Sequence, residues 1–93
     1  MHNHELINDA KETYQLAQIQ FINTELDLGI TFCHVAKATG SAETKTRNIS
    51  NARTAFKTAL EYLQEATIPV PVRQLLLDKI YTLEVLLTEY DEF

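Results

Sequence analysis

Two segments carry the strongest structural signal: Ala52-Arg-Thr-Ala-Phe56-Lys-Thr-Ala59-Leu60 and, upstream of it, Leu28-Gly29-Ile-Thr-Phe32. Each places small residues and an aromatic residue on one side of a helix, because residues three and four positions apart share a face. A glycine inside a helix costs about 1 kcal/mol relative to alanine, so close packing is a reason to find one at Gly29. The two stretches therefore predict a helical hairpin whose backbones approach each other closely.

The composition is that of one soluble domain covering residues 1–93. Hydrophobic residues make up 45% of the chain and charged residues 23%, and two glycines and two prolines are few for an all-β protein. The sequence contains neither a secretion signal nor an apolar run long enough to span a bilayer, so we expect no membrane association. The single cysteine, Cys33, cannot form an internal disulfide, which favours a reducing compartment and predicts a cytoplasmic protein.

The apolar periodicity predicts an all-α, up-down-up bundle of three helices with a long first helix. This helix is expected to begin at Asn3 or His4 and to run towards Thr39, with a break near Asn23 as the competing interpretation. Helical spacing assigns it one core-facing stripe, composed of Ile7, Ala10, Tyr14, Ala17, Phe21, Leu28, Phe32 and Val35.

The second and third helices have clear limits. Ser41 is a favourable N-cap for the second helix, which ends before Pro69, and Pro71 can occupy the first position of the third. The predicted inner face of the second helix is Ile49, Ala52, Phe56, Ala59, Leu60, Leu63 and Ala66. That of the third is Val72, Leu75, Leu76, Ile80, Leu83, Leu86, Leu87 and Tyr90.

The helix lengths leave one end of the bundle uncovered. If the hairpin turns about Gly40, residues 42–66 face residues 38–14, and residues 1–13 form an overhang or a frayed start. Because the overhang contains Leu6 and Ile7, we expect a second copy of the chain to cover it, which makes the protein a homo-oligomer.

The hairpin residues resemble a known repeat. Leu28-Gly29-x-x-Phe32, followed by Ala52-x-x-x-Phe56-x-x-Ala59, is similar to the two halves of the tetratricopeptide repeat signature. Glu25 stands where that family has its leading tryptophan, and the spacing between the halves is longer. The resemblance implies a TPR-like helical hairpin, present here in a single copy.

Two further resemblances concern other segments. Residues 59–66, together with Lys79-Ile-Tyr81, are similar to the last two helices of MIT-type domains, which bind helical tails in grooves between helices. Residues 26–32 and 48–55 resemble a group of small bacterial proteins of unknown function. These likenesses imply an MIT-like binding scaffold and bring no enzymatic activity.

The candidate partner-binding residues follow from this scaffold. Glu25 lies within the predicted stripe, so we expect an ion pair with Arg53 or Lys57, or a role as the polar anchor of a bound peptide. Arg53 is a candidate contact as well. The expected mechanism is burial of an amphipathic helix in a groove between the first and third helices. Its aromatic anchors are predicted to be Tyr14, Phe21, Tyr81 and Tyr90.

The competing hypothesis is a nucleic-acid-associated protein. Residues 37–57 hold five basic residues and one acidic residue, and a candidate basic patch consists of Lys45, Arg47, Arg53 and Lys57. The net charge of −5 disfavours this hypothesis, as do the scatter of these residues around the helix and the lack of aromatic residues between them. A solvated helix face explains the same charges.

No catalytic or metal-binding pattern is present in the sequence. Cys33 and His34 are adjacent, hence about 100° apart on a helix, and His2 and His4 sit at a chain end where metal binding is weak. Acid–base pairs, nucleophile motifs and phosphate-binding loops are missing from the sequence. We therefore predict a non-catalytic protein–protein interaction or scaffold module without a cofactor, which binds an amphipathic helix or self-associates.

Overall fold

The computed structural model describes the backbone of residues 2–90 and the side chains of residues 10–90. Its helices are α1 (His2–Ala38), α2 (Ala42–Glu65) and α3 (Val70–Thr88). The predicted all-α three-helix bundle with a long first helix is confirmed. Helix α1 is continuous through Asn23, so the competing interpretation of a break at this point is wrong.

Helices α1 and α2 run antiparallel. The rings of Phe21 and Tyr62 lie 4.6 Å apart, and further along α1 Gly29 lies against Ala55. Later residues of α1 therefore meet earlier residues of α2. The predicted pairing places Gly29 opposite residue 51, and the observed neighbour is one helical turn further along α2.

Helix α3 runs parallel to α1. The Nζ atom of Lys79 donates hydrogen bonds to Oδ1 of Asn23 at 2.7 Å and to Oδ1 of Asp27 at 2.8 Å, and Leu83 lies beside Gly29. Later residues of α3 thus meet later residues of α1, which gives the up-down-up order. Because α1 alone is about 55 Å long at 1.5 Å per residue, the bundle is elongated, measuring 60 × 21 × 17 Å.

Local signals set most helix ends. The Oγ atom of Ser41 accepts a hydrogen bond from the backbone N–H of Thr44 at 3.2 Å, which confirms the predicted N-cap. Pro69 is the residue that precedes α3, so Pro71 occupies the second helical position rather than the predicted first. The missing N–H of proline is harmless there too, because the first four N–H groups of a helix have no partner within it. Helix α1 already includes His2, so it begins before the predicted start at Asn3 or His4.

The core face of α1 is not the predicted stripe. The buried residues of α1 are Ile22, Leu26, Gly29, Cys33 and Ala36. Of the predicted stripe, Phe32 is half-buried, Ile7 lies outside the described side chains, and the exposed members are Ala10, Tyr14, Ala17, Phe21, Leu28 and Val35. The prediction is wrong because α1 carries two apolar stripes, and periodicity alone does not say which one faces inwards.

The inner faces predicted for α2 and α3 are largely confirmed. Helix α2 buries Ala52, Ala55, Ala59 and Leu63, and α3 buries Leu76, Ile80, Leu83 and Leu87. The remaining predicted positions are half-buried: Ile49, Phe56, Leu60, Ala66, Val72, Leu86 and Tyr90. Leu75 is the exception. It is 65% exposed, because it lies about 100° around the helix from its buried neighbour Leu76.

The predicted overhang falls mostly outside the described side chains. Leu6 and Ile7 belong to that undescribed part, as do His2 and His4, whereas Ala10 is exposed. The expectation that a second copy covers residues 1–13 stays a prediction.

Gly29 lies where the three helices meet. A Cβ atom on it would stand 2.6 Å from Cδ2 and 3.3 Å from Cδ1 of Leu83, and 3.5 Å from Cβ of Ala55. Carbon atoms in contact are normally about 3.5–4.0 Å apart. Leu83 is fully buried, so it cannot move aside without displacing its own neighbours. The predicted contact between Gly29 and the alanines of α2 is confirmed, but the tighter neighbour is Leu83 of α3.

Replacing Gly29 with alanine tests this close approach. Overpacking a core costs about 1–3 kcal/mol, which exceeds a gain of about 1 kcal/mol in helix propensity. We expect Gly29→Ala to lower the free energy of unfolding by about 1 kcal/mol. In a Leu83→Ala background, where the clash is removed, the same change should raise it by about 1 kcal/mol. Chemical denaturation of the four proteins completes a double-mutant cycle.

Gly40→Ala is the matched control. No atom lies within 4 Å of the Cβ that this change adds, and the backbone of Gly40 does not have a positive φ. The control should leave stability unchanged or raise it slightly. An effect of Gly29→Ala with the same sign in both backgrounds would contradict a tight contact with Leu83.

Candidate interaction surface

The outer side of α1 carries a row of large apolar side chains. Tyr14, Phe21, Leu28 and Val35 follow one another at intervals of seven residues. Seven residues make almost two full turns, so the four side chains form one line along the helix. Their exposed fractions range from 39% to 64%. The residues that the sequence predicts as core are therefore surface residues that another molecule can contact.

Small residues accompany this row at the positions three residues further along. These are Ala17, Thr24, Thr31 and Ala38, and Ala10 continues the same spacing seven residues before Ala17; all five are exposed. The large and small residues together form a heptad pattern of the kind by which two helices interlock. We call these nine residues the outer seam. None of them is charged.

Sequence reasoning includes Tyr14 and Phe21 among the contact residues but misses Leu28 and Val35. The signal that identifies these two together with Tyr14 and Phe21 is their strict seven-residue spacing. The same helix carries a second apolar stripe, which contains Gly29, Cys33 and Ala36. A helix with two apolar stripes can bury one against its own chain and offer the other to a partner.

The outer seam lies on the side of α1 that borders α2. The ring of Phe21 is tilted by 54° against the ring of Tyr62, a favourable aromatic geometry. At one end of the seam, Tyr14 borders an open depression of about 350 Å³ that also contains Gln18 and, from α2, Glu65. The seam therefore borders side chains of α2 at Phe21 and again at Tyr14.

A second surface feature lies between α2 and the end of α3. It is an open cleft of about 540 Å³, lined by Thr46, Ile49, Ser50, Arg53, Thr54, Lys57 and Tyr90. The hydroxyl groups of Thr46 and Thr54 donate hydrogen bonds to backbone carbonyls one turn earlier. Positive charge from Arg53 and Lys57 therefore dominates the polar lining of the cleft.

Cys33 is buried in the core, within reach of the charges at this end of the bundle. Burial raises the pKa of its thiol, Glu89 raises it further, and Arg53 opposes the shift. The pKa of Tyr90 is also raised, first by burial and then by Cys33 and Glu89. A thiol with a raised pKa is protonated at neutral pH and is a poor nucleophile. Cys33 acts as a small core residue, as predicted.

The predicted groove between α1 and α3 is not formed by the four aromatic anchors. Phe21 packs on α2, and Tyr90 lines the cleft beside α2. Tyr14 belongs to the outer seam, and Tyr81 is exposed on α3. The boundary between α1 and α3 holds the hydrogen bonds of Lys79 instead. The four aromatic residues do not come together because the buried face of α1 differs from the predicted one, which places Phe21 beside α2.

Glu25 is half-buried on α1. The expected ion pair of Glu25 with Arg53 or Lys57 is not observed among the described side chains. The ion pair observed between helices joins Lys79 of α3 to Asp27 of α1, at 2.8 Å. Because Glu25 keeps access to water, its charge does not need a cation to offset burial. The predicted partner-binding residues are therefore spread over more than one surface.

The four basic residues of the predicted patch do not all line one depression. Arg53 and Lys57 line the cleft, whereas Arg47 lines a neighbouring depression together with Glu43. Lys45 lines neither. A phosphate backbone would need a continuous basic track, so the nucleic-acid hypothesis stays a prediction without added support from the described residues.

Compared with known proteins, the chain matches no family model, no curated protein and no solved structure. Among the described side chains, no three His, Cys, Asp or Glu residues come together to hold a metal ion. Nor does any helix in the described part of the chain combine the length and the apolar character that crossing a membrane requires. The resemblances to repeat and MIT-type domains stay predictions, and functional inference rests on the surface of the chain itself.

The raised pKa of Cys33 predicts a loss of stability in alkali. Well below pH 9.0, the ordinary pKa of the thiol, folded and unfolded chains both hold the proton, so pH has no effect on stability through this group. As the pH rises through this value, the thiol ionises in the unfolded chain before it does so in the folded protein. The free energy of unfolding therefore falls until the pH exceeds the pKa of Cys33 in the folded protein. Tyr90 acts in the same direction above its ordinary pKa of 10.0.

Urea unfolding of the natural protein and of Cys33→Ala between about pH 8 and pH 10 measures this effect. The variant loses core contacts at every pH, so the comparison concerns the slopes of stability against pH. We expect a steeper decline for the natural protein above pH 9.0. Parallel curves would show that Cys33 ionises equally readily in both states.

Proposed function

We propose that this chain is a non-catalytic protein-interaction module that docks an amphipathic helix along the outer seam of α1. The observation that carries the proposal is the line of four exposed, large apolar side chains with no charged residue in the seam. Contiguous apolar surface of this kind typically marks a contact with another molecule. The seam extends over residues 10–38, about 42 Å at 1.5 Å per residue, a length that suits a helix rather than a loop.

The chemistry of the seam supports a helical ligand. Tyr14 and Phe21 are the expected anchors, since aromatic residues dominate the energetics of protein interfaces. Phe21 already rests against Tyr62, so fixing its ring on binding costs little conformational entropy. Thr24 and Thr31 leave room for side chains of the docked helix. That helix would present apolar residues at intervals of three, four and seven.

The proposal assigns no reaction to the chain and places it in the cytoplasm. The thiol of Cys33 is free, which agrees with a reducing compartment. The raised pKa of this thiol also removes the only cysteine as an activated nucleophile.

Site-specific photocrosslinking in the native cell tests the proposed docking surface. Tyr14 is replaced by p-benzoylphenylalanine, an aromatic amino acid that forms a covalent bond to whatever lies beside it on irradiation. We expect an adduct of defined mass, formed either with another protein or with a second copy of this chain. Electrophoresis and mass spectrometry identify the species that is attached.

Tyr81 supplies the matched control, because it is the same residue type and is 69% exposed, compared with 64% for Tyr14. It lies on α3, away from the outer seam. An adduct from Tyr14 but not from Tyr81 supports the proposal. Adducts from Tyr81 alone, from both positions equally or from neither would refute the outer seam as the docking surface.

A further inference from the structure

We propose that the occupant of the outer seam is a second copy of this chain, with the two α1 helices packed antiparallel. This inference rests on the proposed function, since it names the helix that docks on the seam. Its basis is the order of side-chain sizes: each large residue is followed three positions later by alanine or threonine. A helix face with this order is complementary to itself in one relative direction only.

Direction follows from which positions meet. In a parallel pair, equivalent positions face each other, so Phe21 would meet Phe21 and Thr24 would meet Thr24 of the second copy. Crowded layers would then alternate with layers that contain voids, which close packing disfavours. In an antiparallel pair each large residue meets a small one, and the layers have similar volumes. Such an interface is two-fold symmetric and closes with two copies.

Two antiparallel registers place all four large residues against small ones. In the first register, Leu28 faces Ala17 of the second copy and Phe21 faces Thr24. In the second register, Val35 faces Ala17 and Leu28 faces Thr24. Both fill the seam equally well, so the charges along its edges decide between them.

Glu25 and Asp27 border the seam on opposite edges. In the second register the two-fold axis passes between Glu25 and Asp27. Glu25 then faces Glu25 of the second copy, and Asp27 faces Asp27. Like charges placed together oppose association. Glu25 contributes most of this cost, because Lys79 partly offsets the charge of Asp27. In the first register Glu25 faces Gln18 and Asp27 faces Gln20 of the second copy. Avoidance of like charges therefore selects the first register.

The narrowness of the seam sets the strength of the dimer. A contact about 42 Å long and about 10 Å wide covers roughly 400 Å² per copy. That is about half of the roughly 800 Å² per partner found in standard interfaces. Tyr62 extends the contact, since it lies beside Phe21. We expect a monomer–dimer equilibrium with a dissociation constant in the micromolar range.

Analytical ultracentrifugation of the full chain measures this equilibrium. Leu28→Glu buries a charge in the seam and should weaken dimerisation by about 100-fold or more. Leu77→Glu on α3 is the matched control, because Leu77 is 39% exposed and Leu28 is 42% exposed. The control should stay within about threefold of the natural protein, since its position lies outside the seam. Circular dichroism verifies that both variants fold.

Disulfide trapping between copies reports direction and register. In a Cys33→Ala background, a copy with Ala17→Cys is mixed with a copy carrying Leu28→Cys, and separately with one carrying Val35→Cys. We expect rapid oxidation between copies in the first mixture and slow oxidation in the second. Faster oxidation in the second mixture, or of the Ala17→Cys protein by itself, would overturn the proposed arrangement.

The outcomes separate this inference from the function on which it rests. A natural protein that stays monomeric at several hundred micromolar, or that loses as much affinity with Leu77→Glu as with Leu28→Glu, overturns the inference. If Tyr14 nevertheless crosslinks to a different protein in the cell, the proposed function stands with another occupant. A monomer without any adduct at Tyr14 overturns both.

Discussion

The missing side chain of Gly29 sets how closely the three helices can approach one another. Leu83 of α3 fills the space that a Cβ atom would need, and Ala55 of α2 approaches the same point at contact distance. A larger residue would crowd Leu83, which belongs to the same core cluster as Leu76 and Ile80. Because packed helices move as rigid units, the close contact at Gly29 constrains the rotation of the whole of α1 about its own axis.

The rotation of α1 determines what the protein offers to its surroundings. With Gly29, Cys33 and Ala36 turned inwards, the large residues of the other stripe are turned outwards. Lys79 supports this orientation, because its hydrogen bonds hold one edge of α1 against α3. One helix thus has two apolar faces with different tasks: the small-residue face joins the bundle, and the large-residue face forms the proposed docking surface.

The two helices of the hairpin differ in how well their packing could be predicted. Helix α2 has a single apolar stripe, so the burial of Ala52 and Ala59 follows from helical spacing alone. Helix α1 has two apolar stripes, and the one with Tyr14 and Phe21 carries the aromatic side chains. Ranking stripes by their aromatic side chains selects Phe21 for the core, whereas the observed packing selects the stripe that allows neighbouring backbones to come close.

The number of helices, their approximate limits and the hairpin between the first two can be predicted from local sequence. These depend on interactions over a few residues, such as the N-cap of Ser41 and the interruption at Pro69. The buried face of α1 and the close approach of Leu83 to Gly29 become visible in the packed bundle alone. These features depend on how side-chain volumes from distant segments fit together. Helical periodicity predicts on which face of a helix a side chain lies, but it does not predict which residues that face contacts.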